Sequence, residues 1–221
     1  VLVEKKFLDL IVPESASRVV FDAPHAAAPK REYYTGTIAF EVSSRSGSVG
    51  IIGRVSRLVA DLNRGPDFTP ELDTGNYQRE AVEQHFASVE EVLRRFNLLE
   101  NGKVTEPVLM VAIHGIKDSN AERLGCDAVV GTCHLGVCSR EVRDWFVDKL
   151  GLFLREQAAP FRVGVESPSY SGHSSLLRFR ELFGENFNVI QLELSRRLRT
   201  EFRKQVVNAL VVLADSFERT F

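Results

Sequence analysis

Long apolar runs are missing from this chain of 221 residues. The longest, such as Pro107 to Ile113 and Ala209 to Ala214, fall well short of the roughly 20 residues that a spanning helix requires, which argues against an integral membrane protein. An excess of charge is missing too. Lys and Arg together number 28 against 30 Asp and Glu, a formal charge of -2, so no long-range field draws the chain to nucleic acid or to an anionic membrane. Any anion has to be bound locally. Cysteine is scarce: three residues, an odd number, make no disulfide framework and fit a reducing compartment. The start carries no basic stretch followed by an apolar core and a small-residue cleavage site, and the cytoplasm is the expected location. There is no G-x-S-x-G elbow, no cysteine in a nucleophile context, no phosphate loop and no G-x-G-x-x-G, so serine or cysteine hydrolases and nucleotide-binding proteins find no support. Cys133 and Cys138 flank His134 without a matching second pair, a pattern of packing or a surface turn rather than of a metal site.

What is present fits one globular domain over residues 1–221, since 44% hydrophobic and 26% charged residues suffice to bury a core unaided. Short runs rich in β-branched residues predict strands at Arg18 to Ala23, Val49 to Ile52, Arg57 to Asp61, Val108 to Ile113, Ala128 to Gly131, Arg162 to Val165 and Val189 to Leu194. Helical periods fall between and after them, in Val82, Phe86, Val89, Leu93 and Phe96, in Val142, Phe146, Leu150 and Phe153, and in Phe202, Val206, Leu210, Leu213 and Phe217. This alternation predicts an α/β fold, a mixed but mostly parallel sheet flanked by helices. Four of the predicted strands run into polar clusters: Asp22 to His25, Asp61 to Arg64, His114 with Gly115, and Gln191 with Glu193. Open α/β sheets bind ligands beyond the carboxyl ends of their strands, so parallel, adjacent strands would bring these clusters to one crevice.

A zinc hydrolase needs three protein ligands and an open position, and two histidines with one carboxylate leave the metal positive enough to polarise water and substrate. His25 and Glu32 stand on either side of a proline-containing stretch that suits a ligand loop. The alternatives are a packing histidine at a strand end and an acid favouring the start of a helix over Tyr33 to Ser44. His85 is expected to face solvent beside Phe86, and His173 is open between a supporting and a substrate-contacting role.

The segment Val19-Val20-Phe21-Asp22-Ala23-Pro24-His25-Ala26 resembles the opening motif of the N-formylglutamate amidohydrolase family, and Ser56-Arg57-Leu58-Val59-Ala60-Asp61-Leu62-Asn63-Arg64 resembles its arginine-rich second motif. Asp127 to Thr132, Ser167 to Gly172 and Ile190 to Arg199 resemble three further motifs, in the family's order, so the likeness runs from about Val19 to Arg199. Two departures stand out: Ala26-Ala27 replaces Ser-Gly after the first histidine, and Ala112-Ile113-His114-Gly115 replaces the family's D-x-H-S. The chain is similar, more distantly, to phage poly-γ-glutamate hydrolase, whose E-x-x-T pattern Glu32-Tyr33-Tyr34-Thr35 repeats, and to zinc carboxypeptidases.

The resemblance implies a zinc-carboxypeptidase-like fold and a zinc-dependent amidohydrolase. It makes His25, Glu32 and His114 the ligands of one Zn2+ and Glu193, on a late strand, the general base. Arg57, Asn63 and Arg64 are candidates both for the oxyanion and for a substrate carboxylate; Asn63-Arg64 resembles the pair that zinc carboxypeptidases use to hold a terminal carboxylate, and Tyr170 resembles the tyrosine that lies over their substrate. Read from the residues alone, Glu193 equally fits a structural acid paired with Arg196 or Arg197. The alternative for Arg57 and Arg64 is a solvated strand end, and Tyr170 equally fits a core or surface aromatic. The implied substrate is a small acidic amide or peptide. A carboxypeptidase-like or γ-glutamyl peptidase, and a non-catalytic ligand-binding homologue, are the competing expectations. No oligomeric state follows.

Overall fold

The computed structural model describes residues 1–72, 76–157 and 161–221. Its strands are β1 (Leu2–Glu4), β2 (Leu8–Ile11), β3 (Val19–Ala23), β4 (Val49–Gly53), β5 (Leu99–Glu100), β6 (Lys103–Val104), β7 (Val108–Ile116), β8 (Ala128–Gly131), β9 (Val163–Val165) and β10 (Phe187–Ser195). Its helices are α1 (Thr35–Ser46), α2 (Tyr77–Arg95), α3 (Asp118–Leu124), α4 (Arg140–Gln157), α5 (Leu177–Phe183), α6 (Arg196–Thr200) and α7 (Arg203–Thr220). Eight strands join one sheet in the order β1-β2-β4-β3-β7-β10-β8-β9, and β5 pairs with β6 apart from it. The centre, β4-β3-β7-β10, is parallel throughout, while β1, β2 and β8 run antiparallel to their inner neighbours. This is the expected single-domain α/β architecture, a mixed and mostly parallel sheet between helices. No helix among the described residues is long and apolar enough to cross a membrane.

Strands β7 and β10 are buried along nearly their whole length, as expected of central strands covered on both faces by near-continuous apolar sequence. Side chains alternate between the faces. One face of β3, β7 and β10 presents Val19, Phe21, Leu109, Val111, Ile113, Ile190 and Leu192 to the apolar stripes of α1, α4 and α7, including Ile38, Phe146, Leu150, Leu210 and Phe217. The other begins apolar, with Val20, Met110, Phe187 and Val189 packed against Val89 and Leu93 of α2 and Phe179 of α5. Further along the strands the same face turns polar, with Asp22 after Val20 on β3, Gln191 and then Glu193 after Val189 on β10, and His114 after Ala112 on β7. The core thus lies under the amino-terminal half of this face, and the polar crevice opens at the carboxyl ends.

Two expectations are corrected. The stretch Arg57 to Asp61 is a turn, not a strand: Val59 N–H and Ala60 N–H both donate to Ser56 O (2.8 and 3.0 Å), and Leu58 N–H donates to Ser56 Oγ. Those local bonds close the backbone on itself and leave nothing for a sheet ladder. His85 is buried rather than solvent-facing, with Nε2 3.3 Å from Asp22 Oδ1. It shares a helical face with Ala81, Ser88, Val89 and Val92 of α2, all buried.

Candidate metal centre and active site

Three of the polar clusters arrive at the crevice from adjacent parallel strands. His25 follows β3 after Pro24, and its carbonyl accepts from Glu32 N–H at 2.8 Å, closing the loop that brings Glu32 back beside it. His114 lies near the end of β7. Glu193 on β10 is its direct register partner, so the two side chains are cross-strand neighbours on the polar face. Glu32 precedes α1 rather than starting it, since that helix begins at Thr35.

The Glu32 carboxylate is divided between the histidines. Its Oε1 lies 3.0 Å from His25 Nδ1, and its Oε2 lies 3.2 Å from His114 Nδ1 and accepts Gly115 N–H at 2.9 Å. Among the described residues, the group of side chains that could hold a metal ion is His25, Glu32 and His114, with one ligand atom from each within 4.8 Å of the others. His25 Nε2 meets Asp61 Oδ1 at 2.7 Å, so both ring nitrogens face carboxylate oxygens and each needs a proton or a metal ion there. The donor set fits a divalent ion: two imidazole nitrogens and a carboxylate, with a second carboxylate on the far nitrogen of one ligand, an arrangement common behind metal-bound histidines.

Electrostatics follow the same geometry. Burial opposes ionisation of Glu32, but His114 and His25 outweigh it and hold the carboxyl far below the usual range. Burial likewise opposes a charge on His114, yet Glu32, with Glu193 and Asp22 behind it, raises its pKa to about 9. Asp61 is lowered to about 2, because His25 and Arg57 override its burial. Glu193 moves the other way: burial dominates and raises its pKa, and Gln191 Nε2 donates to its Oε1 at 2.9 Å. Among the described residues no salt bridge joins it to Arg196 or Arg197; the Arg197 side chain pairs with Glu201 instead.

The remaining sequence candidates border the same groove, of about 350 Å³, together with the three ligand-type residues and Glu193. Arg57 spans the acids, with Nη1 3.3 Å from Glu32 Oε1 and Nη2 3.4 Å from Asp61 Oδ2. Arg64 is looser, with Nε 3.8 Å from Asp61 Oδ2. Asn63 Nδ2 donates to Gln191 Oε1 at 3.4 Å, and Tyr170 Oη accepts from Asn120 Nδ2 at 2.7 Å. His173 also lines the groove, with its Nδ1 3.1 Å from Ser175 N and 2.9 Å from Ser175 Oγ. Burial and then Arg64 lower its pKa. His134 is exposed and Cys138 buried, in keeping with a turn and core packing.

Three contributors carry no assignment from sequence. Asp61 sits inside the second motif, but its bond to His25 joins residues far apart in the chain. Gln78 of α2 is buried and holds the Asp61 loop, accepting Asp61 N–H at 2.7 Å and donating to Asp61 O and Gly65 O. Gln191 lies two residues before Glu193, and the period of the strand was the signal that places both on one face.

No protein-family model matches the chain, and no curated protein matches it in sequence. Solved structures do match in fold. The N-formylglutamate amidohydrolase of Ralstonia eutropha JMP134 aligns over 98% of this chain and 100% of its own, with 18% identity and a TM-score of 0.71. A bacteriophage poly-γ-glutamate hydrolase aligns over 98% and 92%, with 14% identity and a TM-score of 0.55. A metallo-carboxypeptidase of Burkholderia cenocepacia aligns over 95% of this chain but 61% of its own, with 12% identity and a TM-score of 0.50. The fold is therefore the one shared by N-formylglutamate amidohydrolase and metallo-carboxypeptidase structures, the likeness already written in the sequence motifs.

Proposed function

We propose that residues 1–221 form one catalytic domain, a zinc-dependent amidohydrolase that cleaves an amide bond of a small N-acyl or glutamate-like carboxylate substrate. The observation that carries this reading is the convergence of His25, Glu32 and His114 within 4.8 Å at the carboxyl edge of the sheet. Glu193 stands beside them as the register partner of His114. Bound to these three side chains, zinc supplies Lewis acidity that lowers the pKa of water towards neutrality and polarises a carbonyl.

The chain's own residues divide the rest of the work. Glu193 takes the proton from the attacking water and delivers it to the departing nitrogen. Its raised pKa suits a group that must both accept and donate a proton. Arg57, whose guanidinium spans Glu32 and Asp61, offers positive charge to the oxyanion that forms on the carbonyl. Asn63 and Arg64 hold the substrate carboxylate, with the planar fork of Arg64 the better fit to two oxygens. Tyr170, anchored by Asn120, lies along the groove wall over the substrate. The free state of the three cysteines is in keeping with work in the cytoplasm.

Elemental analysis of the purified protein, before and after chelation and beside His25→Ala, tests the proposal. One equivalent of zinc, lost in the variant, is the expected result, followed by turnover in a screen of N-acyl and γ-linked glutamates. Protein that takes up no added zinc would overturn the metal reading and favour a non-catalytic binding homologue. Turnover confined to C-terminal or γ-linked peptides would replace amidohydrolase by peptidase.

A further inference from the structure

Arg199 is a buried arginine, 5% exposed, on the short helix α6 that follows β10 directly. Among the described residues it makes no salt bridge; its guanidinium is spent on backbone carbonyls. Nε donates to Leu194 O at 3.0 Å, Nη2 to Ile116 O at 3.2 Å and Nη1 to Tyr33 O. Each carbonyl belongs to a segment that carries a site residue. Tyr33 follows Glu32, Ile116 closes the strand of His114, and Leu194 follows Glu193.

The room for this side chain is made by a glycine. A Cβ placed on Gly115 would lie 2.4 Å from Arg199 Cζ, with Nη2 and Nε nearly as close. The guanidinium thus packs where every other residue type would put its side chain, directly behind His114. Gly115 is also the residue whose N–H donates to Glu32 Oε2. A planar group with donors in fixed directions can span three acceptors that lysine, a compact charge on a flexible stem, cannot hold at once.

We propose that Arg199 is a positioning residue for the metal-binding groups. By bonding one carbonyl in each of three segments, its guanidinium fixes the spacing of Glu32, His114 and Glu193. Residues behind a metal site that act in this way change metal affinity about 10–100-fold when replaced. The inference rests on the metal-hydrolase reading, and two readouts separate the fates of the two.

The variants are Arg199→Lys, Gly115→Ala, which displaces the guanidinium while keeping it, and Leu210→Ala, a core truncation in α7 on the side of the sheet away from His114 and Glu193. Zinc affinity is measured on each by competition with a chelator, and protection of the residue-115 amide against hydrogen exchange, corrected for its intrinsic rate, is measured on the metal-free proteins. Arg199→Lys and Gly115→Ala are expected to weaken zinc binding about 10–100-fold. Both should also lower protection at residue 115 more than Leu210→Ala does at a matched loss of Tm. Zinc affinity and Gly115 protection that follow Tm alone, as in Leu210→Ala, would overturn the proposal. If Arg199→Lys fails to fold, the same two readouts on Gly115→Ala decide between these outcomes. Wild-type protein that binds no zinc removes the metal reading, and Gly115 exchange then still decides whether Arg199 holds the three segments.

Discussion

Glu193 and Asp61 are both buried carboxylates at the candidate centre, yet their surroundings push them in opposite directions. Asp61 meets His25 and Arg57, which override its burial and lower it to about 2, whereas at Glu193 burial prevails and raises the pKa. In the proposed mechanism Asp61 carries a permanent charge and Glu193 a movable proton. Glu193→Gln keeps the shape and the Gln191 contact but cannot take a proton, so kcat should fall by about 10²–10⁴-fold with zinc content unchanged. Steady-state rates beside metal analysis check it, and an active variant would show that another group is the base. Asp61→Asn should weaken zinc binding about 10–100-fold, because the amide no longer fixes the far nitrogen of His25. Arg64→Ala should raise KM for acidic substrates more than for neutral ones, and equal effects on both would remove its carboxylate-binding role.

At the level of elements, the crevice is made by β3, β7 and β10, and their apolar, β-branched sequences made all three legible. Their adjacency was not, because strand order depends on contacts between segments far apart in the chain, and so the meeting of His114 with Glu193 rested on the resemblance. The turn at Ser56 to Asp61 was misread for a different reason: an apolar run there is bent by the Ser56 carbonyl and hydroxyl, a local bond that apolar pattern does not reveal. On α2 the period itself held the answer. His85 steps four residues from Ala81 and from Val89, and its burial beside Asp22 follows from that spacing more than from the polarity of the ring. Gln78, near the start of the same helix, ties α2 to the loop of Asp61 through three hydrogen bonds. Gln78→Ala leaves the buried Asp61 N–H without its acceptor and should cost about 1–3 kcal/mol of stability, read from the urea midpoint. Zinc affinity should fall with it, since Asp61 loses the clamp that holds it under His25.

For the molecule as a whole, the candidate centre makes stability depend on pH in a way that metal should reverse. In the metal-free protein His114 is raised from an ordinary 6.5 to about 9, so its contribution is fully present below about pH 6.5 and is lost as pH rises through about 9. Glu193 acts in the same direction, because burial lifts its folded pKa and its ionisation costs stability as pH rises above the unfolded value of 4.5. Glu32 and Asp61 act oppositely. Their folded pKa values are depressed, so their stabilisation is present above the unfolded values of 4.5 and 3.8 and is lost only as pH falls below them. Between pH 6.5 and 9 those two are constant, and the Tm of the chelated protein should decline. Zinc requires His114 neutral, so the loaded protein should escape its share of that decline, and the Tm difference between the two forms should widen with pH. Thermal melts of both forms across this window, beside metal-free His114→Gln to remove the histidine's share, make the check. A chelated protein whose Tm stays level or rises relative to that variant would mean that Glu32 and His114 are not held together as a charged pair when the metal is absent.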